Sequence, residues 1–160
     1  YVFGLRSDPA YNCHLSAVTG GIEDQRRWIE NYKQREAAGR EFYYIIERRD
    51  DGRRCGLVRL YDITGEHFTW GSWILDHNKT PKAALESAVL IYMIGFDALG
   101  LEKAVFDVRL DNEGTLAFHR RFGATEIRRD VQDIYFTYPR ARFDADRAGF
   151  MAILDGERAR

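Results

Sequence analysis

At 160 residues, 45% hydrophobic and 31% charged with a formal net charge of −1, the chain has the composition of a globular protein and lacks the positive field that nucleic acid or an anionic membrane would call for. The length suits one domain over residues 1–160, burying roughly 70% of the surface its unfolded chain exposes. Two cysteines, Cys13 and Cys55, make no disulfide framework and no metal-ligand spacing, and point to a reducing cytoplasm.

In chain order, Asp8 and Pro9 interrupt a weak helical segment between Phe3 and Val18, and Thr19-Gly20-Gly21 is a turn. A helix follows from Ile22 to Ala38, with Ile22, Ile29 and Tyr32 near one face and Gly39 as its stop. Glu41 to Arg48 reads as a strand, Asp50-Asp51-Gly52 as a hairpin turn and Arg54 to Asp62 as the antiparallel partner. After Thr64-Gly65, the aromatic and β-branched residues from Phe68 to Leu75 predict a third strand, with a bulge at Gly71-Ser72-Trp73. A strand opened there can hydrogen-bond an extended, amide-containing ligand.

Asp76 to Lys79 break the apolar pattern, and Thr80-Pro81 predicts an N-cap followed by proline at the first helical position. Leu85, Ala88, Val89, Tyr92, Met93, Phe96 and Leu99 then recur at helical spacing until Gly100. The longest uncharged apolar run, residues 87–96, is too short to span a bilayer. A strand feeding a helix N-terminus, beside Lys79 and Lys82, is a ready anion site. Ala104 to Arg109 forms the next strand, parallel to the third through a right-handed crossover. Asp111 or Asn112 caps a helix that Gly123 ends, two strands cover 125–129 and 132–138, and 142–154 forms a terminal helix, with a frayed tail beyond about 155. The domain is therefore α+β, with a mixed, mostly antiparallel sheet and one parallel pair in its middle. None of His14, His67, His77 and His119 pairs with another histidine or a cysteine at metal-ligand spacing, so no metal site is expected. No GxSxG nucleophile elbow is present either.

The stretch FDVRLDNEGTLAFHRRFGA, residues 106–124, sets Asn112 just past a strand, His119 seven residues on, and Phe122-Gly123 at the helix end. It resembles the C-terminal motif of the GNAT superfamily of N-acetyltransferases, approximately N-x-x-[AS]-x-x-x-Y-x-x-x-G-[FA]. The order of elements agrees over roughly Phe3 to Tyr138, with the family's first strand to be sought upstream of Tyr1. The resemblance implies a GNAT-like fold with a splayed central parallel pair and helices on both faces of the sheet. It also implies acetyl-CoA as acetyl donor, bound along Trp73, Ile74 and Leu75, by the loop residues Asn78, Lys79, Lys82, Ala83 and Ala84, and by Asn112. A strand N–H near Trp73 or Ile74 would serve the oxyanion. Where the family carries a glycine-rich phosphate loop, this chain has 77–84 without glycine, and where it carries a tyrosine that protonates the departing thiolate, this chain has His119. The base that neutralises the amine is to be sought among Glu66, His67 and Asp107, and Trp70, Trp73, Phe68 and Tyr61 are candidate walls of an acceptor pocket.

GSWIL in the strand and FDVRLDN…FHRRFGA downstream look like the GNAT branch found beside bacterial surface-polysaccharide genes, whose acceptor is an amino sugar on a nucleotide. The expected partner is thus a small-molecule amine, with neither nucleic acid nor membrane, and a homodimer stays open. The alternative is a GNAT-shaped binding or regulatory module without catalysis, suggested by the missing glycines and tyrosine.

Overall fold

The computed structural model describes residues 1–156, so the tail expected to fray lies almost wholly outside the described residues. Three helices come first: α1 (Val2–Ser7), α2 (Pro9–Asn12) and α3 (Ile22–Ala37). Asp8 separates α1 from α2 for a local reason. Its carboxylate accepts from the Ala10 N–H at 2.9 Å, and Pro9 starts α2 where a missing N–H costs nothing. Then follow strands β1 (Phe42–Glu47), β2 (Arg54–Thr64) and β3 (His67–Leu75), helix α4 (Ala83–Met93) running into a π-helical turn (Ile94–Ala98), and β4 (Lys103–Arg109). Helix α5 (Glu113–Phe122), β5 (Thr125–Arg129), β6 (Asp133–Pro139) and α6 (Arg140–Asp155) complete the chain.

The six strands make one sheet in the order β1-β2-β3-β4-β6-β5. Every neighbouring pair is antiparallel except β3 and β4, which run parallel and touch only through His67–Lys103 and Phe68–Ala104. Beyond that short contact the two strands diverge. On one face of the sheet, Val58, Leu60, Phe68, Trp70, Phe106, Phe136 and Tyr138 pack against Ala88, Tyr92 and Phe96 of the central helix, Leu116 and Phe122 of α5, and Phe143 of α6. On the other face, Leu57 and Ile74 pack with Leu5, and Tyr43 meets Trp28 and Tyr32 of α3 edge-on. The helices thus cover both faces, and the fold over residues 1–156 is mixed α+β.

The central helix departs from its sequence reading at both ends. It begins at Ala83 behind an N-cap at Lys82, not at Pro81 behind Thr80. Thr80 and Pro81 instead belong to a β-turn closed by the Ala83 N–H on the Thr80 carbonyl at 3.1 Å, with proline in the second turn position that its fixed φ favours. At the other end the helix loosens into the π turn, where the Leu99 N–H reaches the Ile94 carbonyl at 2.9 Å. Gly95 lies in that turn directly on the Phe68 ring. A Cβ built there would stand 2.3 Å from Phe68 Cζ, so only glycine allows this approach.

Candidate active site

The cleft arises from strands that stop pairing. From Thr69 to Leu75 the β4-facing edge of β3 has no ladder partner, and the same holds for the β3-facing edge of β4 from Val105 to Arg109. Two strips of backbone donors and acceptors therefore face each other across a gap, the geometry that receives an extended amide chain. On its other side β3 slips register against β2 between Gly71 and Ile74, and Ser72 there adopts φ 45°. This is the bulge expected at Gly71-Ser72-Trp73, and it takes Ser72 and Trp73 out of the β2 ladder, which resumes at Ile74 opposite Leu57.

A cavity of about 210 Å³ fills the splay, lined among others by Tyr61, Trp70, Ser72, Trp73, Asp107, Arg109, Asn112 and His119. Trp73 stacks edge-on with Phe118 at 5.2 Å and donates its indole N–H to Ser87 Oγ at 3.1 Å, which fixes it between β3 and the helices. The Asn112 carboxamide oxygen caps α5 through the Thr115 N–H at 3.3 Å. Gly123, at φ 109°, ends α5. His119 points inward from the last turn of this short helix.

His119 is only 3% exposed. Its ring centroid lies 4.4 Å from that of Phe106, 5.3 Å from Trp70 and 5.8 Å from Phe136, and its Nδ1 has no hydrogen-bond partner. Burial among these rings pushes its pKa down to about 3, so the imidazole is neutral at physiological pH. That removes the imidazolium that the sequence reading would have used to protonate a thiolate. Asp107 moves the other way. Although Asp107 remains open to solvent, partial desolvation at the cleft wall raises its carboxyl, the Asp133 carboxylate raises it further, and Arg109 opposes the shift only in part. Burial, together with the Asp107 charge, also raises the Tyr61 phenol and keeps it protonated.

The other candidates fall in different places. Glu66 and His67 lie exposed at the opposite end of β3, beside its two rungs to β4, and are not brought to the cleft with His119 and Asp107. Phe68, expected as a possible pocket wall, is fully buried against Phe96 and belongs to the core. Ile74 buries its side chain on the far face, so only its backbone faces the gap, and Leu75 follows it opposite Gly56. Tyr61 and Trp70 do line the cleft, as do Ser72, which the sequence placed only in the bulge, and Arg109 and Thr115, which sequence reasoning passed over. A serine in left-handed backbone carries no signal readable in the sequence.

Beyond Leu75 the loop is built on a buried carboxylate. Asp76 accepts from the Tyr1 hydroxyl and from the Asn78 N–H, both at 2.8 Å. The N–H groups of Asn78, Lys79 and Ala83 are thus spent inside the turns, which leaves those of Ala84 and Leu85 as the outward donors of the first helical turn. Lys79 is exposed, whereas the Lys82 ammonium donates to the Ile153 carbonyl of α6. A groove of about 790 Å³ runs from this helix start toward the β1–β2 hairpin, with Arg48, Arg49, Lys82 and Ser87 in its wall. Glu47, Asp50 and Glu86 share that wall, and Arg48 is paired with Asp50. The fit to a diphosphate therefore rests on the small Ala83 and Ala84, the two outward N–H groups and the nearby lysines at the helix start.

The description "Acetyltransferase (GNAT) domain" belongs to the family model that matches residues 1–125. Among solved structures, one described as apo FdhC, a nucleotide-linked sugar GNAT, is 41% identical and superposes with TM-score 0.86, over 94% of this chain and 85% of its own. A chimera of Vibrio cholerae spermidine N-acetyltransferase SpeG with hSSAT shares the fold at 16% identity and TM-score 0.73, over 90% of both chains. Campylobacter jejuni N-acetyltransferase PseH, in complex with acetyl coenzyme A, does so at 15% identity and TM-score 0.63, over 74% of this chain and 81% of its own. No curated protein matches the chain.

Proposed function

The chain belongs to the GNAT family of N-acetyltransferases, and from that premise we propose that it moves the acetyl group of acetyl-CoA onto the primary amine of a nucleotide-linked amino sugar. The observation that carries the proposal is the splay of β3 from β4, which sets two unpaired strand edges beside Asp107 and His119. The 41% identity to a nucleotide-linked sugar GNAT supports the acceptor class, and the neighbour in complex with acetyl coenzyme A supports the donor. Both substrates belong to the cytoplasm, which is where the reading puts the protein.

In this reading the donor's pantetheine amides pair with the open edges of β3 and β4, and its diphosphate sits at the start of α4 near Ala84, Lys79 and Lys82. An amine reaches the cleft as an ammonium ion and must lose a proton before it attacks. Asp107, raised above the ordinary carboxylate range, accepts that proton directly or through a water. Attack on the thioester carbon places negative charge on its oxygen, and an N–H of the bulged strand near Trp73 or Ile74 donates to it. Collapse expels the thiolate, while the nitrogen, now carrying one proton too many, gives that proton up. His119 is neutral and its Nδ1 is buried, so it offers only its other ring nitrogen to the cleft, positioning the departing sulfur while the excess proton passes from nitrogen to sulfur through water. The amide and the free thiol result, and Asp107 returns the first proton to solvent, so each turnover releases one proton and needs no further co-reactant.

Calorimetric titration with acetyl-CoA, followed by thiol release with a panel of amines, tests the proposal. Donor binding plus thiol release with a nucleotide amino sugar is the expected result. Tight donor binding without release for any amine would favour the non-catalytic module.

A further inference from the structure

A second cavity, of about 320 Å³, opens on the α1–α3 face of the sheet and meets the cleft at Ser16 and Ser72, which line both. Two guanidinium groups dominate its wall. Arg6 reaches from α1 and donates to the Ser16 carbonyl at 2.9 Å, to Ser16 Oγ at 3.1 Å and to Ser72 Oγ at 3.4 Å. All three acceptors are neutral, and among the described residues no carboxylate pairs with Arg6. Arg59, on β2, stacks over the rings of Tyr61 at 4.4 Å and Trp28 at 5.2 Å, and donates to Glu41 at 2.6 Å. Glu41 also takes Arg35 at 2.7 Å, so one carboxylate answers two cations and a positive charge is left over. Among the described residues Asp24 is the one acid in the wall, and it is bound by the Gly21 N–H at 2.8 Å and by Arg27.

The electrostatics therefore favour an anion. A half-buried guanidinium with only neutral partners is costly to keep dry and gains most from a multi-oxygen acceptor whose oxygens match its fork. The bulge gives this cavity its position. Ser72 stands in the wall of the cleft that holds Asp107 and also touches Arg6, so an anion here lies one short arm from the reacting amine. We infer that the cavity between Arg6 and Arg59 seats the phosphate groups of the acceptor, and that the acceptor is an amine tethered to a phosphate ester, with polyamines repelled. The inference rests on the acetyltransferase reading for the identity of the neighbouring cleft. The same phosphate chemistry can come from a nucleoside diphosphate sugar or from a sugar 1-phosphate.

The test takes the whole chain presaturated with CoA, so that the donor's own phosphate site is filled, and titrates it calorimetrically with inorganic pyrophosphate, uridine diphosphate and thymidine diphosphate. Saturable binding that weakens roughly 10–100-fold in Arg6→Gln, with CoA affinity unchanged, is expected, since hydrogen bonds to charged groups carry about that weight. Arg59→Lys retains the charge but not the fork, and should weaken binding as well. Among the described residues the Arg6 guanidinium has only neutral neighbours, Ser16, Ser72 and the Tyr43 hydroxyl, and an unchanged melting curve checks that its replacement leaves the fold intact. Nucleoside diphosphates bound at least tenfold tighter than pyrophosphate support the nucleotide source, and equal affinity supports the sugar phosphate. Failure of all three probes to bind, or binding unaltered in Arg6→Gln, overturns the inference. Thiol release with any amine is scored separately: turnover without probe binding overturns this inference alone, and probe binding without turnover overturns only the catalytic reading.

Discussion

An imidazole held neutral by aromatic rings carries a cost that can be read against pH. His119 titrates near 6.5 in an unfolded chain and near 3 in the folded one. Between those values the unfolded state binds the extra proton, so this residue makes stability fall as pH drops from 6.5 toward 3. The slope approaches about 1.4 kcal/mol per pH unit. Above pH 7 it contributes no pH dependence. His119→Phe should flatten the denaturation midpoint between pH 6 and 4, and a slope identical to wild type would show that the ring is not desolvated. Asp107 gives the kinetic counterpart. Asp107→Asn should lower kcat by roughly 10²–10⁴-fold, and the acidic limb of the wild-type kcat/KM profile should lie above the ordinary aspartate value of about 3.9. Sequence spacing placed His119 inside α5 but could not give its protonation, because Trp70, Phe106 and Phe136 reach it from three different strands.

At the scale of elements, the strands of the meander were legible because each boundary is a turn with its own chemistry, as at Asp51-Gly52 and Gly65. The start of α4 was not. Thr80-Pro81 fits a helix N-terminus and a β-turn equally well, and only the tertiary path from Asp76 decides between them. The junction still offers its dipole to a phosphate. Replacing Lys79 and Lys82 together by alanine should weaken acetyl-CoA binding by about 0.5–2 kcal/mol, more at low salt. Equal affinity at low ionic strength would exclude a charge contribution from either lysine. The π turn was also invisible in the sequence, since the Phe68 ring meets Gly95 within it only once the sheet has formed. Gly95→Ala overpacks that contact and should cost about 1–3 kcal/mol in denaturant unfolding, and a neutral result would mean that Phe68 moves freely.

Over the whole molecule, the mixed sheet with helices on both faces follows from the alternation and helical spacing of apolar residues. The cavity of Arg6 and Arg59 does not. Its walls come from α1, the loop before α3, α3 itself, β1, β2 and the β3 bulge, segments far apart in the chain whose meeting no local pattern announces. Charge balance hid it too, because a net charge of −1 conceals a local excess of guanidinium.

The two rungs between β3 and β4 have a mechanical consequence. They make the sheet a pair of stiff panels, β1-β2-β3 and β4-β6-β5, joined along a seam only two residues deep at one end. A ligand that bonds to both free edges acts as a splint across the open end. Bending of one panel against the other should then stiffen when acetyl-CoA binds, with little change inside either panel. Hydrogen exchange would register this as slower amide exchange along residues 69–75 and 105–109 together, while β1 and β5 keep their rates. Edges already protected in the free protein, or exchange slowed on one panel alone, would mean that the seam is rigid and the donor enters a slot of fixed width.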